Sequence, residues 1–371
     1  MSPVRPDYQN GSLALISSIA AYFSAPTGHE TLPALDSLLT DGHYRSVILL
    51  LFDGLGTAAL RDHLPEDSFL RRHLAHTLSA SFPPTTTAAT TALESGLSPA
   101  EHGWIGWSLW FPELGRIVDL FPNRDSLTGE AISGGSAAER FMPYTTVFER
   151  INSAGQADAA CISPYSDPAY KTLPEIEAAI LSRCKAPGRH YLYGYWPEPD
   201  HTMHDTGVHA DEVHEIIRDL DRRAEAFARA LPEDALLLIT ADHGLIDVKN
   251  LVLEDHPELM EALERPPCVE ARAAALYVRE EYRARFPALF EAAFPGEFLL
   301  MTGDEAIASG LFGPGKAHPR LRQSVGNYFA VSLKDACLLW KHDDHPLAAS
   351  HAGLTADEMQ VPLIVCRKAD D

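Results

Sequence analysis

The apolar residues of this chain are concentrated in short uninterrupted runs. The run within 46–52 has six consecutive apolar positions without polar alternation, which is typical of a strand buried on both faces of a sheet. Similar runs at 157–162, 190–195 and 235–241 predict further strands, and residues 211–230 have the spacing of a long helix. The alternation of such strands with helices indicates an α/β fold that has 46–52 as a central parallel strand.

Acidic and imidazole side chains follow three of these runs. Asp53 comes directly after the first run, Asp200 and His204 follow the third, and Asp242 and His243 follow the fourth. Ligands of α/β proteins bind at the carboxyl ends of strands, and a carboxylate buried there needs a cation. Residues one helical turn apart, or adjacent at a strand end, are able to share a metal ion. The alternative for Asp53 is a cap of the following helix.

Three other histidines are relevant to this site. His351 precedes a glycine turn, a short helix and a closing strand. His201 and His209 lie close to His204 in the sequence and are rival ligands. For both of these, a solvated loop histidine is the more common role.

A threonine-rich turn lies between Pro83 and Gly96. Two prolines end an extended segment, three threonines follow, and a helix of small residues continues to the glycine. Such a turn places a hydroxyl at a helix N-terminus, where free N–H groups and the helix dipole favour an anion. This hydroxyl suits a nucleophile that attacks phosphate. A simple threonine N-cap explains the same pattern without catalysis.

Aromatic residues are dense soon after this helix. We expect Trp104, Trp107, Trp110 and Phe111 to line a pocket for a base or another apolar leaving group, or else to be part of the core. Five basic residues further along are candidates for contact with substrate phosphate, although solvated surface is the ordinary role for most of them: Arg265, Arg272, Lys316, Arg320 and Arg322.

The pattern changes after residue 246, where prolines, a phenylalanine-rich helix and a glycine-rich segment occur. These features predict an inserted cap subdomain at 250–330, over the site, within a single catalytic domain of residues 1–371. Residues 97–107 are predicted to be a loop, and 123–145 to be irregular.

Composition narrows the possible partners. The formal net charge of −22 repels a polyanion, so nucleic-acid binding is not expected, whereas a bound dication still attracts a small phosphate. No apolar stretch has the ~20 residues needed to cross a bilayer, and we see no secretory signal. Five scattered cysteines without C-x-x-C spacing indicate reduced thiols and a cytoplasmic location. The sequence carries no indication of oligomeric state.

The order of these segments resembles the alkaline phosphatase superfamily, specifically its type I phosphodiesterase/nucleotide pyrophosphatase family. Each motif is short, but five of them occur in the family's order and together cover nearly the whole chain. They are Leu51-Phe52-Asp53-Gly54, the threonine turn with the following 97–103 segment, Pro199-Asp200-x-x-x-His204-x-x-Gly207, Thr240-Ala241-Asp242-His243-Gly244 and His351-x-Gly353.

The resemblance implies an alkaline-phosphatase-like α/β fold, with a mostly parallel central sheet flanked by helices, and two zinc ions per chain. The implied ligands form two sets of three: Asp53, Asp242 and His243 for one zinc ion, and Asp200, His204 and His351 for the other. Three carboxylates and three imidazoles suit zinc better than magnesium.

The resemblance also implies a threonine nucleophile that binds zinc. The family's usual helix length, counted back from Gly96, selects Thr86, with Thr87 and then Thr85 as alternatives. The family usually has an asparagine after the His-Gly pair that helps to hold a phosphoryl oxygen, and Trp107 stands near that place. Because of this departure, the resemblance does not by itself imply the family's contact with the phosphoryl oxygen or its preference for nucleotides.

We therefore expect a metal-dependent phosphodiesterase or nucleotide pyrophosphatase that acts on a small phosphorylated substrate, with a nucleotide as one candidate. The same metals also serve a phosphomonoesterase or a phosphonate hydrolase. A phosphomutase of the superfamily is a third possibility. A metal-binding or partner-binding protein without turnover is the non-enzymatic alternative, and Trp107 is the argument for it.

Overall fold

The computed structural model describes residues 3–367. Its strands are β1 (Ser46–Phe52), β2 (Leu74–Ser79), β3 (Ser108–Phe111), β4 (Arg116–Asp119), β5 (Arg124–Asp125), β6 (Asp158–Ile162), β7 (His190–Trp196), β8 (Ala235–Thr240), β9 (Ile246–Asp247), β10 (Lys249–Val252), β11 (Cys268–Val269), β12 (Ala273–Leu276), β13 (Phe298–Thr302), β14 (Tyr328–Ser332), β15 (Ala336–Leu339), β16 (Ala349–Ser350) and β17 (Gln360–Arg367). Its helices are α1 (Ser12–Tyr22), α2 (Pro33–Gly42), α3 (Thr57–His63), α4 (Phe69–Arg72), α5 (Thr86–Ser95), α6 (Pro99–His102), α7 (Ala137–Phe141), α8 (Val147–Ala154), α9 (Leu173–Lys185), α10 (Asp200–Thr206), α11 (Asp211–Ala230), α12 (Pro257–Ala262), α13 (Phe286–Ala293), α14 (Gly303–Ala308), α15 (Leu321–Ser324) and α16 (Ala356–Met359). Short 3-10 helices cover Leu253–Asp255 and Glu280–Tyr282.

Six strands form the central sheet, in the order β2-β17-β8-β1-β7-β6. Strands β6, β7, β1 and β8 run parallel, whereas β17 pairs antiparallel with both β8 and β2. Every residue of β1 and β8 is buried, as expected for strands covered on both faces. The predicted α/β fold with a mostly parallel central sheet is confirmed.

The helices pack on this sheet through apolar stripes. Helix α11 buries Val213, Ile217, Leu220 and Ala224, which recur every three or four residues and share one face. Helix α5 ends as predicted at Gly96, whose φ of +64° is the left-handed conformation that glycine adopts most readily.

A second sheet of seven strands has the order β13-β14-β12-β11-β3-β4-β5 and is antiparallel throughout. Its strands come from 108–125 as well as 268–332, whereas the sequence interpretation placed the inserted unit within 250–330 alone. The two segments join where β3 pairs with β11, at Ser108 opposite Val269. That this sheet is a separate cap subdomain stays a prediction.

Two local predictions are corrected. The segment 97–107 contains the one-turn helix α6, stabilised by a capping box in which Ser98 and Glu101 bond each other's backbone. The segment 123–145 contains β5 and α7, and Ser136 caps α7 by accepting from the backbone N–H of Glu139.

Within residues 3–367, no helix is long and apolar enough to cross a bilayer. No disulfide joins the cysteines of the described chain, and Cys184, Cys268, Cys337 and Cys366 are buried.

Candidate active site

The carboxyl ends of β1, β7 and β8 meet at one edge of the central sheet. Phe52 of β1 lies opposite Trp196 of β7, and the neighbouring Leu51 lies opposite Thr240 of β8. Because parallel strands end together, the polar residues that follow them are neighbours. The backbone N–H of Gly54 donates to Oδ1 of Asp242 over 3.2 Å, which ties the first strand end to the third.

Asp53, Asp242 and His243 form the first cluster. One ligand atom from each lies within 4.8 Å of the others. Nε2 of His243 is 3.5 Å from Oδ1 of Asp53 and 3.5 Å from Oδ2 of Asp242. All three side chains are buried.

Asp200, His204 and His351 form the second cluster, at the same spacing. Oδ1 of Asp200 is 3.3 Å from Nε2 of His204, one turn later in α10, and 3.9 Å from Nε2 of His351. The two clusters adjoin, because the rings of His243 and His351 stack with 3.8 Å between their centroids. The structure thus brings together the same two sets of three residues that the resemblance implied. Their role as metal ligands remains a prediction.

The three imidazoles are oriented by backbone carbonyls. Nδ1 of His204 donates to the carbonyl of Ala349 over 2.8 Å, and Nδ1 of His351 donates to that of Pro84 over 3.0 Å. Nδ1 of His243 lies 3.3 Å from the carbonyl of Gly244. Since a carbonyl only accepts, each Nδ1 carries the hydrogen and each Nε2 is left to face its cluster, the usual arrangement around a bound metal.

Three carboxylate oxygens in these clusters have no hydrogen-bond partner among the described residues, although they are buried: Oδ1 of Asp53, Oδ1 of Asp200 and Oδ2 of Asp242. A buried carboxylate oxygen without a partner is costly, and a bound cation would offset that cost. Hard carboxylate oxygens next to imidazole nitrogens suit zinc and similar divalent ions. The residues present therefore fit a pair of such ions.

Burial and the close spacing of charged groups shift the pKa values of the cluster residues. Burial, followed by the charges of Asp242 and Asp200, raises the pKa of Asp53 well above its ordinary value. Burial also raises the pKa of Asp242. For Asp200, burial is outweighed by the imidazole of His204 at 3.3 Å, so its pKa lies below the ordinary value. Burial lowers the pKa of His204, but Asp200 outweighs it and raises that pKa to about 9.

The three threonines of the turn have different surroundings. The hydroxyl of Thr86, the first residue of α5, is 3.2 Å from Nε2 of His243 and 3.5 Å from Oδ2 of Asp53. The hydroxyl of Thr85 donates to Oε1 of Glu270 over 2.6 Å. The hydroxyl of Thr87 is buried and, within the described chain, has no partner. Of the three, Thr86 is the one in contact with a cluster.

Two polar residues beside the clusters were missed from the sequence. The hydroxyl of Tyr195 donates to Oδ2 of Asp53. In the sequence, the only indication of a role for Tyr195 was its position near the end of the apolar run that forms β7. Glu270 reaches Thr85 from the second sheet, and the sequence around it has no feature that distinguishes it from surface glutamates.

Several other candidates lie elsewhere. His201 and His209 are exposed and belong to neither cluster. Arg272, considered as a phosphate contact or a surface residue, is fully buried against Glu358, so both interpretations were wrong. Trp104 is buried, with its indole N–H donating to the carbonyl of Met142.

The aromatic segment divides between core and surface. Phe111 is buried and Trp110 is half-buried. Trp107 remains 43% exposed, beside the equally exposed Phe121 at 6.1 Å between ring centroids. Of the four residues, Trp107 alone is exposed, and a pocket for an apolar leaving group stays a prediction.

A sequence comparison now bears on this arrangement. The model of the type I phosphodiesterase/nucleotide pyrophosphatase family matches residues 47–293, more than half of the chain. The chain belongs to this family. Type I phosphodiesterases and nucleotide pyrophosphatases are metal-dependent hydrolases of phosphoric ester bonds, so the predicted enzyme class is confirmed. No curated protein sequence matches the chain significantly.

Solved structures of the same architecture support the fold. Murine ectonucleotide pyrophosphatase/phosphodiesterase 5 has a TM-score of 0.67 at 19% identity, over 85% of this chain and 87% of that one. Its inactive threonine-to-alanine variant in complex with AMP gives 0.66 at 18% identity, over 85% and 87%. Phosphonoacetate hydrolase from Sinorhizobium meliloti, in complex with phosphonoformate, gives 0.60 at 19% identity, over 87% and 90%. The predicted alkaline-phosphatase-like fold is confirmed.

Proposed function

We propose that this chain hydrolyses small phosphodiesters or nucleotide pyrophosphates, with Thr86 as nucleophile beside a two-zinc site. The observation that carries the proposal is the set of buried carboxylate oxygens without partners, on Asp53, Asp200 and Asp242, in clusters with three imidazole nitrogens. Divalent cations bound among these groups would balance the charge of the buried carboxylates.

Each cluster would hold one ion: Asp53, Asp242 and His243 one of them, and Asp200, His204 and His351 the other. Bound zinc would supply positive charge that lowers the pKa of the Thr86 hydroxyl and of a water, and that balances charge on the attacking and leaving oxygens. The contact of Thr86 with both Asp53 and His243 puts its hydroxyl at the first of these clusters.

The chemistry of the chain's own residues follows from this position. Thr86 Oγ1 gives up its proton to solvent and attacks phosphorus, and the bond from phosphorus to the leaving oxygen breaks. The leaving alcohol or phosphate takes up a proton from solvent, and the intermediate is a phosphoryl ester of Thr86 that keeps the other substituent on phosphorus. A water then loses a proton and attacks the same phosphorus, the bond to Thr86 Oγ1 breaks, and Oγ1 regains a proton. The N-terminus of α5 favours the negative charge of the phosphoryl group throughout.

Exposed aromatic side chains near the site support a substrate with a flat apolar part. Trp107 and Phe121 are 6.1 Å apart and both about half exposed. Tyr165, 77% exposed, lies 6.0 Å from Tyr195, the residue that bonds Asp53. Aromatic faces of this kind stack on nucleobases. The AMP complex of the murine neighbour supports the same substrate class.

The proposal is tested by metal analysis coupled to assays of the purified protein on a chromogenic diester and the matching monoester. We expect zinc in the protein and hydrolysis that a chelator abolishes and zinc restores. Thr86→Ala is expected to lower turnover by about a hundredfold or more, with zinc content retained. Thr87→Val is the matched control, because the Thr87 hydroxyl has no partner among the described residues; it should keep turnover near that of the wild type.

Full turnover in Thr86→Ala would exclude Thr86 as the nucleophile, and loss only in Thr87→Val would assign that role to Thr87. Absence of any phosphate ester hydrolysis by the zinc-loaded protein would contradict the proposal as a whole.

The alternative is a phosphomonoesterase or phosphonate hydrolase, which would use the same residues. Because the fold is similar to that of phosphonoacetate hydrolase, the assays also include phosphonoacetate as a substrate. Faster hydrolysis of the monoester, or of phosphonoacetate, would favour it. We further propose a reducing, cytoplasmic location, which the free thiols of Cys161, Cys184, Cys268 and Cys337 support.

A further inference from the structure

Glu270 lies in the tight turn between β11 and β12. This turn packs against the loop before β3. The preceding residue, Val269, has a φ of +82°, a conformation that β-branched residues rarely adopt. A Cβ atom on Gly106 would be 2.6 Å from Cγ1 of Val269 and 2.7 Å from its carbonyl oxygen, so only glycine allows this approach. Backbone strain of this kind persists where the surroundings enforce it, and it is common at functional sites.

The strained turn points the Glu270 carboxylate at the threonine turn. Oε1 accepts from the hydroxyl of Thr85 over 2.6 Å and from the backbone N–H of Trp107 over 2.7 Å. In residues 3–367, no lysine or arginine forms an ion pair with this carboxylate, and both of these hydrogen bonds are made by Oε1. Glu270 is half-buried, and its carboxylate lacks a cationic partner among the described residues.

The negative charge of Glu270 is close enough to both clusters to attract their imidazoles. It interacts electrostatically with His204 of one cluster and with His243 of the other, and burial raises the pKa of Glu270. Thr85, which it bonds, is adjacent in sequence to Thr86. Trp107, whose backbone N–H donates to Glu270, stands near the place in the sequence where the family usually has an asparagine. The carboxylate of Glu270 therefore lies beside both the threonine turn and this segment.

We propose that Glu270 is a specificity-determining residue that makes the site favour phosphoryl groups with one negative charge, as in diesters and pyrophosphate linkages, over the dianion of a monoester. This inference deepens the proposed function and rests on it. A phosphoryl group bound at Thr86 would lie within electrostatic range of the carboxylate, and repulsion grows in proportion to the charge of that group. A monoester carries about one negative charge more than a diester at neutral to basic pH.

The decisive experiment removes the negative charge of Glu270 and keeps a hydrogen-bond acceptor in its place. Glu270→Gln retains an oxygen for the bonds from Thr85 and Trp107. The zinc-loaded wild type and variant are assayed on bis(p-nitrophenyl) phosphate and on p-nitrophenyl phosphate at a fixed pH of 8. We expect the ratio of kcat/KM for diester over monoester to fall by about tenfold in the variant, chiefly through a gain on the monoester. Glu113→Gln, at an exposed glutamate paired with Arg320, is the control and should leave the ratio unchanged.

Each outcome separates the two proposals. If the zinc-loaded wild type hydrolyses neither ester, the proposed function fails. If the wild type hydrolyses the diester but the ratio is the same in Glu270→Gln, or both activities fall equally, Glu270 only positions the turn and the specificity role is wrong. Glu270→Ala serves the same comparison if the glutamine variant does not fold. Failure of both variants to fold, judged by circular dichroism, would assign Glu270 to structure alone and overturn the inference.

Discussion

Arg272 and Glu358 form an ion pair in which both side chains are completely buried. Nε of Arg272 donates to Oε1 of Glu358 over 2.7 Å, and Nη2 donates to Oε2 over 2.8 Å. The guanidinium also donates to the carbonyls of Ala336 and Lys334, each over 2.7 Å. Arg272 lies two residues after Glu270, so one turn of the second sheet contacts both the threonine turn and α16.

This ion pair holds the loop that follows His351. Glu358 accepts from the backbone N–H of Gly353 over 2.7 Å and from the hydroxyl of Thr355 over 2.6 Å. A Cβ atom on Gly353 would lie 2.6 Å from Nη2 of Arg272, which explains the glycine in the His-x-Gly segment. The pair thus positions His351 through its loop.

Removal of one partner is expected to be strongly destabilising. In Arg272→Met, Glu358 becomes a buried charge without a partner, which typically costs about 3–5 kcal/mol of unfolding free energy. Urea denaturation followed by circular dichroism measures this loss. The double variant Arg272→Met with Glu358→Leu is expected to recover much of it, because no charge is then left unpaired. A loss below about 1 kcal/mol in the single variant would show that the pair contributes little.

The strand ends could be predicted from the sequence because the signal there is local. A continuous apolar run identifies β1 and β8, parallel strands end together, and Asp53 and Asp242 are the next polar residues along the chain. The i, i+4 spacing of Asp200 and His204 likewise needs only one turn of helix.

The second sheet could not be predicted in the same way. Its central pairing joins Ser108 to Val269, across more than a hundred and fifty residues, and nothing local specifies such a partner. Glu270 and Arg272 owe their positions to that pairing. In the sequence they are ordinary charged residues, and their burial is decided by tertiary packing alone.

Tyr195 is expected to strengthen metal binding through Asp53. Its hydroxyl donates to Oδ2 of Asp53, so Tyr195→Phe leaves that carboxylate less well oriented. Loss of such a supporting hydrogen bond typically costs about 10- to 100-fold in metal affinity or activity. Competition with a chromophoric zinc chelator measures the affinity. Tyr193→Phe is the matched control, since Tyr193 lies on the same face of β7 and, in the described chain, its hydroxyl has no partner. Equal affinities in the two variants would contradict this role.

Glu94 is expected to make stability depend on pH. Burial raises its pKa from 4.5 to about 7, although its neighbour Tyr144 donates to Oε2 over 3.4 Å. Between these two values the folded chain keeps a proton on Glu94 that the unfolded chain has lost. The unfolding free energy therefore falls as pH rises through this window and levels off above about 7.

Glu94→Gln removes this dependence, because glutamine does not titrate. Relative to the wild type, the variant should gain roughly 1–3 kcal/mol of unfolding free energy on going from pH 5 to pH 8. Urea unfolding at both pH values, at constant zinc concentration, measures the gain. Glu66→Gln is the control, at a side chain that is 94% exposed, and its unfolding free energy should change with pH as that of the wild type does. If the unfolding free energy of Glu94→Gln also changes with pH as in the wild type, Glu94 is ionised in the folded protein.

Helix α10 offers the most direct test of the second cluster, because it carries two histidines in different surroundings. His204 points Nε2 at Asp200 over 3.3 Å and is oriented through Nδ1 by the carbonyl of Ala349, whereas His201, almost one turn earlier, is exposed. His204→Ala is expected to lower the zinc content from about two ions per chain to about one, since removal of one of three protein ligands leaves too few donors to hold that ion. Mass spectrometry after dialysis counts the zinc. His201→Ala should retain both ions. If instead the two variants hold equal zinc, the second cluster does not bind metal, and hydrolysis would have to depend on Asp53, Asp242 and His243 alone.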